Sequence, residues 1–207
     1  MEEISVKKIL SLLLILMLLP CWVIAEENSE TTVTSAWKID EFVDEFDLPI
    51  GEYYITTDAI TGTFSNSFAN KEEVTAYIRW MLHDENSTGL FFIRLFEYGE
   101  YPVKNSGSNT EYYDVVIMDT DGNKYELEGY MPSGSNAIYF DYLQPYPFPE
   151  TTYYVTDNDL IHNEMLSTGT IRFSITERDD TFTRYVIAFK NAGFYKAKKA
   201  LEEMSGQ

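Results

Sequence analysis

The chain has 207 residues, 34 of them Asp or Glu against 15 Lys or Arg, for a formal charge of −19. A field of that sign repels nucleic acid phosphates and anionic lipid, so neither is an expected partner. The only cysteine is Cys21, which leaves no disulfide pair, no zinc thiolates and no cysteine nucleophile in a chain cut beyond it.

Residues 1–25 read as a secretory signal. Lys7 and Lys8 precede an apolar run over residues 9–19, Pro20 interrupts it, and Val23-Ile24-Ala25 offers the small or tolerated residues a signal peptidase reads. Cleavage after Ala25 predicts a secreted or cell-surface protein with no membrane insertion afterwards. Two alternatives stand beside this. Residues 9–25 would be retained as an anchor, at the lower limit of a bilayer-spanning length, or Cys21 would carry lipid. Pro20, where lipoprotein signals carry a small residue, argues against lipid. Residues 26–36 are polar without apolar period and read as a disordered tether.

From Trp37 the chain reads as one domain over residues 37–204, built mostly of strands. Segments 38–43, 53–57 and 60–65 are expected first. Val74, Ala76, Ile78, Trp80 and Leu82 then alternate with Thr75, Tyr77, Arg79 and Met81, the period of a half-buried strand. The turn residues 84–89 bring back a partner from Leu90, apolar on both faces through Phe91, Phe92, Ile93, Leu95 and Phe96. A second hairpin joins 112–118 to 124–130 through Asp121-Gly122, and another strand falls at 137–142. Three prolines make residues 144–150 a surface connection. A short helix is expected over 157–166, ended by Gly169. Residues 170–176 and 185–189 form a third hairpin, and Phe194, Ala197, Leu201 and Met204 lie at helical spacing in a C-terminal lid. Many short strands at such spacing predict an all-β, antiparallel β-sandwich, with a barrel as the alternative.

Several phrases are similar to those of a group of small exported bacterial all-β proteins of unknown function. They are Val43-Asp44-Glu45-Phe46-Asp47-Leu48-Pro49-Ile50-Gly51 after Trp37, Gly62-Thr63-Phe64-Ser65-Asn66-Ser67, and Leu95-Phe96-Glu97-Tyr98-Gly99. Their order and spacing, and the closing strand pair that runs into Gly193-Phe194, resemble that group too. The resemblance implies the fold and export. It carries no activity.

Chemistry is hard to find. His83 and His162 are the only histidines, neither beside a nucleophile motif, and both read as solvated. Asp119, Asp121, Gly122 and Glu128 fall at EF-hand loop positions, but Ile117 occupies the first and strands flank the run, so a hairpin turn explains them. The denser cluster Asp40, Glu41, Asp44, Glu45 and Asp47 is the better calcium candidate, with Asp40, Glu41, Asp44 and Asp47 as its ligands, and it also reads as a solvated strand edge. No cofactor other than calcium is suggested. Acidic residues are so abundant that no catalytic pair can be nominated. Exposed rings remain: Tyr142, Tyr146 and Phe148 on the proline-rich connection would bind a glycan or a protein at the cell surface. The sequence thus predicts an exported, non-catalytic binding module. A carboxylate-based extracellular hydrolase of glycosidase type and a structural envelope protein are the competing readings.

Overall fold

The computed structural model describes residues 33–82, 89–140 and 157–205, with side chains from Trp37 on. The residues 141–156 that hold Tyr142, Tyr146 and Phe148, and the turn that holds His83, lie outside this range, as do the expected signal and most of the expected tether. Among the described residues no helix is long and apolar enough to cross a membrane.

Alternation of burial makes the strands. In β4 (Glu72–Met81) Val74, Ala76, Ile78 and Trp80 point inward, and they meet Glu97, Leu95, Ile93 and Phe91 of β5 (Leu90–Glu97) across the hairpin. Successive side chains of a strand take opposite faces, so this pairing places Tyr77 and Arg79 outside, opposite Arg94 and Phe92. β7 (Glu111–Met118) and β8 (Lys124–Met131) form the Asp-Gly hairpin in full register, and β10 (Gly169–Glu177) and β11 (Arg184–Ala192) form the third.

The expected sandwich is corrected to a barrel. β3 (Ile60–Ser65) joins β4 to β11, and β10, β7, β8 and β9 (Ile138–Phe140) lead round to β5, which pairs back to β4. Eight antiparallel strands therefore close on themselves around one core. Alternation records one buried face per strand, which two stacked sheets and one closed sheet share. Closure is decided by the long-range pairs β3–β11 and β5–β9, which no local pattern encodes.

Two glycines mark how the wall bends. A Cβ on Gly62, at an inward position opposite Ile187, would sit 2.3 Å from the Val186 carbonyl oxygen. One on Gly129 would sit 2.7 Å from Ile138 Cγ2. Glycine inside a strand marks such close approaches and sheet corners.

β2 (Pro49–Thr57) and β3 lie along β4 in one direction, Thr56 opposite Arg79 and Ile60 opposite Ala76. They behave as one strand interrupted at Asp58-Ala59, where the buried Thr57 hydroxyl accepts the Ile78 amide at 3.1 Å. β1 (Val33–Val43) fills the space beside them, antiparallel to β2 and parallel to the end of β11. It begins inside the stretch expected to be tether, because residues 33–36 pair with Phe189–Ala192. A two-residue strand, β6 (Tyr101–Pro102), edges β5.

Both expected helices are present, α1 (Asp157–Leu166) and α2 (Phe194–Met204). α2 buries Phe194, Ala197 and Leu201 over the barrel end where Trp37, Trp80 and Phe91 converge. Buried Asn191 ties this end together. Its oxygen accepts Trp37 Nε1 at 2.7 Å, and its amide donates to the carbonyls of Met165 and Ser167.

Candidate functional site

Outside the barrel, a band of rings crosses β1, β2, β4, β5, β9 and β8. Phe42 lies 4.5 Å from the Tyr54 ring, Tyr77 meets Phe96 edge-on at 5.7 Å, and Phe92 stacks on Tyr139 at 5.6 Å, with Tyr130 beyond. Tyr54 and Phe92 are each only 6% exposed yet stand apart from the barrel's core cluster. A second apolar layer has thus formed on the outward face of these strands.

Two arginines sit within it. The Arg79 guanidinium lies 4.7 Å above the Tyr54 ring and that of Arg94 lies 5.3 Å above Phe96. Both side chains are half-buried, and each has its Nε buried without a hydrogen-bond partner among the described residues. Burial, then the neighbouring Arg79 charge, holds the Arg94 pKa below the ordinary guanidinium value. The groups that act on it in the favourable sense are Tyr54, Tyr139 and Tyr77, not a carboxylate. Asp40 does approach the wall, where it acts on the Tyr54 hydroxyl. Burial pushes that hydroxyl up, and Arg79 works against the rise.

The opposite character appears at the barrel end remote from the helices. Buried Tyr113 donates to Glu111 at 3.1 Å and buried Tyr185 donates to Glu97 at 2.9 Å. Burial and these carboxylates push both phenols far above their usual range. Glu177 lies among them, its pKa raised by burial first and then by Glu111. Tyr98, Tyr101, Phe68 and Phe182 are exposed nearby on the strand connections and edge.

The expected calcium ligands lie on the β1–β2 hairpin and build its turn. Asp44 Oδ1 accepts the amides of Phe46 and Leu48 at 2.8 and 2.9 Å, and Glu41 accepts that of Gly51 at 3.0 Å. Asp40 accepts from its neighbour's amide and Asp47 adopts φ 60° to close the turn. Among the described residues no three His, Cys, Asp or Glu side chains are grouped as a metal site would require. The EF-hand-like run is likewise a turn: Asp119 binds the amides of Asp121 and Asn123 and the Asn123 side chain, which lowers its pKa. His162 is not solvated as expected. It packs on Phe91 and Phe194 with Nε2 buried, and burial, aided by Lys198, lowers its pKa.

Arg79 and Arg94 escape a reading that searches for motifs. Their signal is present all the same: Arg79 takes an outward place in an alternating strand, Arg94 interrupts an apolar one, and the hairpin pairing sets both on one outward face. Fold and site together define a closed antiparallel barrel with an arginine–aromatic outer wall. No family model matches this chain, and neither the curated proteins nor the solved structures contain a match.

Proposed function

We propose that this protein is an exported, non-catalytic binding barrel that takes a glycan of the cell surface against its outer wall. The observation that carries the reading is the outward-facing ring layer on β2, β4, β5 and β9, which the core does not use and in which Tyr77, Phe96 and Tyr139 are partly exposed. Sugar faces stack on tyrosine and phenylalanine rings, and the tyrosine hydroxyls supply polar contacts at the same surface. Rings on strands of a closed barrel are also held in place before binding, which limits the entropy lost on complex formation. Affinity electrophoresis in soluble polysaccharides tests this: Tyr77→Ala and Tyr139→Ala are expected to abolish retardation while the fold, read by circular dichroism, is kept. Retardation unchanged in both variants would refute the wall as the binding face.

A hydrolase is the second reading, favoured by one observation, the Glu97, Glu111 and Glu177 group around Tyr113 and Tyr185. A protonated Glu177 would be its acid. Product release from polysaccharides that is lost in Glu177→Gln would establish it; absence of cleavage by the purified chain would dismiss it.

A further inference from the structure

We propose that Arg79 and Arg94 form an oxyanion subsite, holding a carboxylate, sulfate or phosphate carried by the sugar that the surrounding rings stack against. This inference rests on the reading of the wall as a glycan-binding face. In this chain 34 acidic residues compete for 15 basic ones, so a pair of adjacent arginines with no carboxylate bound to either among the described residues is a departure that composition alone does not produce. Arg178 shows the ordinary arrangement, with Asp114 and Glu128 both 2.7 Å from its guanidinium.

The geometry suits an oxyanion. Arg94 lies directly opposite Tyr77, and Arg79 directly opposite Phe92, so the two arginines are diagonal neighbours on adjacent strands. Their planes are held by Tyr54 and Phe96 rather than left free. Each Nε is buried and has no acceptor among the described residues, so the terminal guanidinium nitrogens are the donors left to meet an oxyanion, bidentately at about 2.8 Å. The net charge of −19 opposes an anion at long range. Salt at physiological strength screens that field beyond about 8 Å, so contact chemistry dominates at the wall.

The test is calorimetric titration of the purified full chain with glucuronate, glucose 6-sulfate, glucose 6-phosphate and glucose at constant ionic strength. At least one charged sugar is expected to bind about tenfold or more tightly than glucose, since charge-assisted bidentate contacts are the strong ones. Arg79→Met and Arg94→Met should erase that preference, and Arg94→Lys, which keeps charge without the fork, should restore only part of it. In the wild-type chain the Nε–H resonances of both arginines should move on titration, a readout that needs no variant to fold. Equal affinity for charged and neutral sugars, or a preference that survives the double Arg→Met change, would overturn the subsite. Neutral glycans bound at Tyr77 and Tyr139 without charge preference would overturn it while sparing the wall. Acetate bound as tightly as glucuronate would keep the subsite and remove the sugar.

Discussion

Arg178 and the Arg79–Arg94 pair place the same side chain on the same barrel exterior, and they differ in what surrounds it. Arg178 bridges Asp114 of β7 and Glu128 of β8 while lying 5.8 Å from the Tyr112 ring, and those hydrogen bonds raise its pKa. Arg94 also lies over a ring, but burial and a second arginine lower its pKa. Both arrangements stack a cation on an aromatic face, so stacking alone does not distinguish them. The partner does. A guanidinium already paired with two carboxylates is part of the fold, whereas one held half-buried with its Nε unmatched among the described residues costs stability and keeps its binding capacity.

The comparison can be broken by moving a carboxylate. Tyr77→Glu sets an acid directly opposite Arg94, giving the wall what Arg178 already has. Binding of a charged sugar is expected to fall by about a hundredfold, through the lost ring and the filled subsite together, a loss of about 2.7 kcal/mol. Melting temperature should change little, because a partly exposed ion pair contributes only about 0.5 kcal/mol. Calorimetry and thermal melting report both halves.

The reverse change sharpens it. Asp114→Ala removes one of the two Arg178 partners and is expected to cost about 0.5 kcal/mol, as exposed pairs do, with no effect on ligand affinity. A loss of binding in this variant would show that β7 and β8 belong to the site after all.

Smaller effects follow from the titrating groups away from the wall. Glu177 has its pKa raised in the fold, so the folded state favours its protonated form. Its contribution to stability therefore grows as pH falls through the raised value and is complete below the ordinary glutamate pKa. Glu177→Gln should raise the melting temperature at pH 7 and remove part of the gain seen on acidification to pH 4. His162 runs the other way. Its pKa is lowered, so the folded state favours neutral imidazole, and the stability present above the ordinary value near 6.5 is lost as pH falls through the lowered one. His162→Leu should blunt the fall in melting temperature between pH 7 and pH 5. Neither change should alter charged-sugar affinity at pH 7.

Local structure was legible in the sequence wherever its cause is local. The Asp121-Gly122 turn aligned β7 and β8, the alternation from Val74 to Trp80 gave the faces of β4, and the spacing of Phe194, Ala197 and Leu201 gave the buried stripe of α2, though Met204, expected in that stripe, is exposed at the helix end. Barrel closure was not legible. It depends on Gly62 against Ile187 and on a three-residue β9 joined to β5, both matters of tertiary approach. The parallel pairing of residues 33–36 with β11 was missed because a polar stretch carries no apolar period to announce a strand. The acidic side chains show turn building instead: Asp44 accepts two amides of its own turn, and Asp119 accepts two of the turn that the sequence assigned to it. The arginines lay in plain sight, and their meaning depended on the rings that the barrel placed beside them.

The most direct test of the account maps where a sugar lands. Backbone and arginine side-chain resonances of the wild-type chain would be followed during titration with a soluble glycan that the chain retains in affinity electrophoresis. The perturbed signals are expected to cluster at Tyr77, Arg79, Phe92, Arg94 and Tyr139. Perturbations centred on Tyr98, Tyr101, Glu177 and Phe182, with the arginines unmoved, would contradict it and transfer the function to the acidic end of the barrel.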